Sequence, residues 1–242
     1  MAGKARRRRS WKARVRSVLL TGGLLGLSLP IFLVLPLRWI SPPTTAFMLR
    51  YRLVVADGGD SGPHYRWTDW EQMSPHVALA VIAAEDQKFL GHHGFDVESI
   101  QDAVADAQRG GRLRGASTIS QQVSKNLFLW QGRSFVRKGL EAYFTVLIEL
   151  LWSKGRILEV YLNVAEFGDG VFGIAAASER LFNTVPARIE ADDAALLAAV
   201  LPNPSVLRID QPSAYVRERQ SWIRAQMTQL EGQGLLEALK ER

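Results

Sequence analysis

Residues 74–89 read SPHVALAVIAAEDQKF, and the fold is decided there. Ser74 carries a hydroxyl suited to an N-cap, and Pro75 suits the first helical position, where its preset φ helps and its missing N–H costs nothing. Val77, Ala80, Val81 and Ala84 then recur at helical spacing, which predicts a helix with one apolar face and a stop by Gly91. The same period persists downstream. It predicts helices over 97–108, 135–152, 155–162, 171–181, 191–201 and 212–230, punctuated by Asn163, Pro186, Pro202 and Pro204. In the 135–152 helix, Val136, Leu140, Tyr143, Phe144, Leu147 and Leu151 form the buried side, and Arg137, Lys138 and Glu141 share another face. No repeat or heptad run interrupts the pattern. The body is mainly α, and 242 residues suffice for one domain of about 200 residues with a short appendage.

Upstream the pattern changes. Residues 51–72 alternate weakly and include Asp57-Gly58-Gly59-Asp60, which predicts a short hairpin. Ser41-Pro42-Pro43-Thr44-Thr45 reads as an extended linker, because successive prolines keep the backbone out of the helical region.

Of the 30 Lys and Arg, nine stand in residues 1–40, which hold no Asp or Glu, so residues 41–242 carry 21 basic against 24 acidic side chains and a formal charge of −3. The basic pI belongs to the tail, and a nucleic-acid-binding body, which would spread basic charge over its folded surface, is disfavoured. Residues 17–37 contain no charged side chain. At helical rise this run spans roughly 30 Å of hydrocarbon. Eight basic residues precede it and Arg38 follows, so the positive-inside rule puts the N-terminus in the cytoplasm and everything after residue 40 outside. The expected organisation is a basic tail (1–16), a transmembrane signal-anchor (17–40) and an extracytoplasmic domain (41–242). Pro30 and Pro36 are tolerable in such a span. A cleaved signal peptide is the rival reading, but no small-x-small site follows the run cleanly. The absence of cysteine excludes structural disulfides and thiolate metal sites.

Three polar clusters carry chemistry. Glu85-Asp86-Gln87-Lys88-Phe89 with His92 and Gly94 comes first: Glu85 follows an apolar helical run, where desolvation can raise its pKa and prepare a general base, although an exposed helix-end carboxylate fits the same pattern. The second is Gly115-Ala116-Ser117-Thr118-Ile119-Ser120-Gln121-Gln122-Val123-Ser124-Lys125-Asn126. Its hydroxyls, carboxamides and lysine suit sugar and phosphate oxygens, without P-loop spacing; a capped polar helix start is the alternative. Third, Arg133, Arg137 and Lys138 accompany Glu141, which alone would be surface ion pairs worth ~0.2–0.5 kcal/mol. Together the clusters supply two acids and four cations, the set that a diphosphate leaving group and a sugar nucleophile require. His64, His92 and His93 do not form a metal-binding pattern. Trp67, Trp70, Trp130 and Trp152 suit either lipid headgroups or the core.

In this order the motifs Glu85-Asp-x-x-Phe89-x-x-His92-x-Gly94-x-Asp96, Gly115-x-Ser-Thr-Ile-x-Gln-Gln122-x-x-Lys125-Asn126, Arg137-Lys138-x-x-Glu141-Ala142 and Lys154-x-x-Ile157-Leu158-Glu159-x-Tyr161-Leu162-Asn163 resemble glycosyltransferase family 51, the peptidoglycan glycosyltransferases. The likeness covers residues 70–205, and Pro42-Pro43-Thr44-Thr45-Ala46-Phe47-Met48 looks like the corresponding segment of its stand-alone proteobacterial members. The resemblance implies a lysozyme-like, two-lobed helical domain with an apolar surface on the membrane. It implies polymerisation of lipid II into β-1,4-linked glycan strands, by inverting transfer from an undecaprenyl-diphosphate-linked chain to the acceptor 4-hydroxyl. Glu85 matches the general base and Glu141 the second carboxylate on the donor side. Lys125, Arg133, Arg137 and Lys138 match the diphosphate-neutralising positions, and Asp86, Ser117, Thr118 and Gln122 the remaining cleft residues. No cofactor is expected, a divalent cation is an optional stimulant, and the partners are lipid II, the growing chain, the inner membrane and cell-wall synthesis or division proteins. A lysozyme-like hydrolase would lack the cation set. An inactive scaffold would have lost motif residues, and a bifunctional penicillin-binding protein would need a Ser-x-x-Lys, which is absent.

Overall fold

The computed structural model describes residues 2–55, 62–109, 117–132, 134–232, 234–235 and 238. The chain divides into two compact units, Met1–Ile40 and Ser41–Arg242. The first is helix α1 (Ala2–Val34), which contains Pro30 and gives way to a 3₁₀ turn at Pro36–Arg38. Residues 17–37 overlap α1 only as far as Val34, and among the described residues no helix is long and apolar enough to cross a membrane.

In the second unit, Thr45 caps the short helix α2 (Ala46–Arg50) by accepting the Met48 N–H at 3.1 Å. The preceding prolines are not a free linker, because the Tyr65 hydroxyl donates to the Pro42 carbonyl at 2.7 Å and Pro42 is buried. The hairpin expected over 51–72 is corrected: Tyr51–Val55 is a π-helical turn, and strand β1 (His64–Tyr65) takes its partner from far downstream. Strands β2 (Glu166–Gly168) and β3 (Val171–Phe172) form an antiparallel pair, and β1 adds to β3 in parallel, with His64 opposite Val171. The expected turn residues 57–60 lie outside the described residues.

Ser74 and Pro75 open α3 (Pro75–Glu85) as expected. The single apolar face does not hold, since every residue from Val77 to Ala83 is buried and Ala84 is only half-buried. A helix apolar all round belongs in the interior, and α3 packs against both α9 (Ala191–Val200) and α10 (Ala214–Glu231), which also pack on each other. It ends six residues before Gly91, where Asp86 turns out of the helix at φ −162°.

A second group of helices packs around α5. Helix α4 (Val97–Gln108) precedes α5 (Ile119–Phe128), which packs on α6 (Phe135–Leu151) and α7 (Lys154–Val164). The predicted buried side of α6 is rotated: Val136 is 71% exposed, whereas Glu141, Phe144, Thr145, Leu147 and Ile148 are buried. A buried ion pair from Lys154 to Glu149, at 2.8 Å, ties α7 to α6, and the Ser120 hydroxyl of α5 donates to the same carboxylate. Helix α8 (Gly173–Phe182) packs against the small sheet and α7.

Candidate active site

The end of α3 brings Glu85 against the start of α5. Its side chain is 13% exposed. Gln122 donates from Nε2 to Glu85 Oε2 at 2.9 Å, and the Tyr161 hydroxyl of α7 donates to Gln122 Oε1 at 3.2 Å. A phenol that donates to the carboxamide oxygen fixes which end of Gln122 faces the carboxylate. Burial keeps the Tyr161 hydroxyl neutral by raising its pKa well above the ordinary value. Burial also pushes the Glu85 carboxyl up; the Gln122 hydrogen bond and the charges of Arg219 and Lys125 pull it back, and Asp86 pushes it further up. The exposed helix-end alternative for Glu85 is therefore set aside.

Asp86 and Thr118 have committed oxygens. Asp86 Oδ2 accepts the Ile119 N–H at 3.0 Å and Oδ1 lies 2.9 Å from His92 Nε2, while the His92 Nδ1 accepts the Gly94 N–H at 3.1 Å. His92 is thus held within the fold. Thr118 caps α5, in a capping box with Gln121, and its hydroxyl donates to the Gly94 carbonyl at 2.6 Å. These two residues therefore position the start of α5. Ser117 is exposed and, with Glu85, Asp86, Lys88, Thr118 and Trp222, lines a cavity of about 270 Å³.

A second cavity, also about 270 Å³, is lined by Gln122, Lys125, Asn126, Tyr161, Glu166 and Asn203 among others. The Glu85–Gln122 hydrogen bond thus joins residues of the two cavities. Lys125 makes no ion pair among the described residues; its ammonium stands over the Phe47 ring at 5.6 Å. Burial lowers its pKa, Glu141 and Glu85 raise it, and Arg137 and Lys138 lower it. One free cation therefore feels both carboxylates.

Glu141 is 3% exposed, with Arg137 Nη1 at 2.7 Å from Oε2 and Lys138 Nζ at 2.5 Å from Oε1. This is no solvated surface pair: an ionised carboxylate held in the interior needs both partners. Arg137 Nε is buried with no acceptor among the described residues, leaving one donor for a ligand. Three cations around one carboxylate suit an anion such as a diphosphate. Arg133 lies outside the described residues. Among the described residues no three His, Asp or Glu come together as a metal site. Of the tryptophans, Trp152 is buried at 5% exposure and Trp130 is half exposed. Sequence reasoning missed Tyr161, Arg219 and Trp222 as site residues; only Tyr161 stood within a quoted motif.

A helical body with two buried carboxylates and a cation group suits an enzyme that acts on an anionic substrate. The transglycosylase family model matches residues 54–228, and the chain belongs to that family. It is 53% identical over 210 residues to the biosynthetic peptidoglycan transglycosylase of Pseudomonas savastanoi pv. phaseolicola, covering 86% of this chain and 89% of that protein. The proteins of the same name from Stutzerimonas stutzeri (53% over 215 residues, 88% of this chain, 89% of the relative) and Ectopseudomonas mendocina (54% over 213 residues, 87% of each) are similarly close.

Proposed function

We propose that this protein polymerises lipid II into the glycan strands of peptidoglycan. The observation that carries it is the pairing of a buried Glu85, whose pKa burial raises, with the cation group of Lys125, Arg137 and Lys138. Glu85, as carboxylate, takes the proton of the acceptor 4-hydroxyl. That oxygen attacks the donor anomeric carbon from the face opposite the diphosphate, the C–O bond to the diphosphate breaks, and undecaprenyl diphosphate leaves with the electron pair. An α-linked donor becomes a β-1,4 bond, with no covalent sugar intermediate. Lys125, Arg137 and Lys138, together with Arg133, meet the charge that develops on the leaving group. Loss of one such group costs about 3–4 kcal/mol in the transition state, by analogy with an oxyanion donor. Glu141 orients these cations, Ser117 and Gln122 face the sugars, and Asp86 and Thr118 hold α5 in place. The domain is read as two-lobed and lysozyme-like.

The reading extends to location. Residues 17–40 anchor the chain in the inner membrane after the cytoplasmic tail 1–16, and residues 41–242 work on the outer face, where lipid-linked substrate is held. Phe135, 98% exposed, and Val136 at the head of α6 support an apolar surface resting on that membrane. No cofactor is required, a divalent cation is at most a stimulant, and cell-wall synthesis or division proteins are the partners in the cell. Detergent-solubilised protein incubated with labelled lipid II is expected to give a ladder or high polymer degradable by lysozyme. Shortening of added glycan instead would favour a hydrolase, and no product would favour a scaffold.

A further inference from the structure

Arg219 stands 134 residues from Glu85 in sequence and outside every motif singled out above. Its Nη2 donates both to the Ala84 carbonyl and to Glu85 Oε1, each at 3.3 Å. The helix that presents it is firmly placed. Val216 and Ile223 of α10 are buried, Gln87 donates to Gln226 at 3.2 Å, and Arg224 meets Asp192 of α9 at 2.6 Å. Four groups face Glu85 from the surrounding elements: Arg219 on α10, Lys125 on α5, the neutral Tyr161 on α7 and Asp86 next in the chain. Arg219 is the cation that touches it.

We infer that Arg219 is a positioning residue for Glu85, gripping Oε1 from α10 while Gln122 grips Oε2 from α5, so that the carboxylate plane is fixed between two helices. This rests on Glu85 being the general base. Held at both oxygens, the carboxylate cannot rotate away from the cavity it lines, and its ionised form keeps a cation beside it. A guanidinium can span a main-chain carbonyl and a carboxylate with fixed geometry; an ammonium is a point charge on a more flexible stem.

The test is the pH dependence of lipid II polymerisation by the full-length protein, with Arg219→Met and Arg219→Lys beside wild type and Glu85→Gln. Arg219→Met is expected to lower kcat at neutral pH by roughly ten- to a hundredfold, less than loss of the general base itself, which contributes about 10²- to 10⁴-fold, to leave KM nearly unchanged, and to move the acid limb of the rate profile to higher pH. Arg219→Lys, which keeps the charge, should restore the limb while kcat stays below wild type. Loss of rate equal at every pH, with the limb unmoved, or a wild-type kcat in Arg219→Lys, overturns the inference. Either of those results beside a polymerising wild type and an inactive Glu85→Gln removes Arg219 alone. A wild type that makes no polymer removes the proposed function with it.

Discussion

Glu85 is a carboxylate placed where its neutral form is favoured, and two opposite consequences follow from that. As a base it works only when ionised, so activity is expected to fall as pH drops through a pKa above the ordinary Glu range. For stability the sign reverses. The folded-state pKa exceeds the unfolded one, so between the two values the folded state binds the proton more tightly, and stability declines as pH rises through the folded pKa. Once ionised, the charge is therefore a burden, and Glu85→Gln is expected to melt at or above the wild-type temperature in differential scanning at about pH 8. A clear drop in Tm would mean that Arg219 and Gln122 outweigh burial. A carboxylate closing an apolar helical run singled out Glu85, but that run fits an exposed helix end as well, and only the family motif gave Glu85 the role of base. Arg219 was not singled out, because nothing local ties residue 219 to a contact made by tertiary packing. The burial of Glu141 was equally hidden: i, i+3 and i, i+4 pairs look the same on a buried face as on a wet one.

Helix α5 carries Gln122 and Lys125, and its start is set by a loop that only glycine allows. Gly94 has φ +87°, and a Cβ there would meet Thr145 Cγ2 at 2.7 Å and Glu149 Cγ at 3.0 Å, while its carbonyl receives the Thr118 cap. Gly94→Ala is expected to cost about 1–3 kcal/mol in denaturant unfolding and to lower polymerisation by displacing α5. Unchanged stability and rate would show that the loop tolerates a side chain. Periodicity and caps set α4 at its observed bounds and α6 within one residue of its end. Facing was harder to read. Val136 and Leu140 look like core by spacing but are exposed, and α3 showed one stripe yet is enclosed, because neighbours distant in sequence decide which side is covered. The β1–β3 pairing joins residues 64 and 171 and has no local signal at all.

At the scale of the molecule, charge separates along the chain: nine basic residues and no acid in 1–40, and a formal −3 in 41–242. The two compact units meet at the same place, between Ile40 and Ser41. Removing residues 1–40 is expected to release the remaining unit from the alkaline-washed membrane fraction with its helical circular dichroism intact. Retention in the membrane would locate the attachment in the domain itself, for which the exposed Phe135 and Val136 would be the first surface to change. The basic cluster and the apolar run lie on one side of that boundary in the sequence, whereas the contacts of α3 with α9 and α10, and of α5 with α6 and α7, have no local signal. The central claim is that Glu85 removes the acceptor proton in a glycan polymerase, and the most direct measurement compares wild type with Glu85→Gln for lipid II binding and turnover in the same detergent. The account predicts binding within about twofold of wild type with polymer formation lost, the pattern of a group acting in the transition state rather than in binding; a near-normal rate from Glu85→Gln would contradict it.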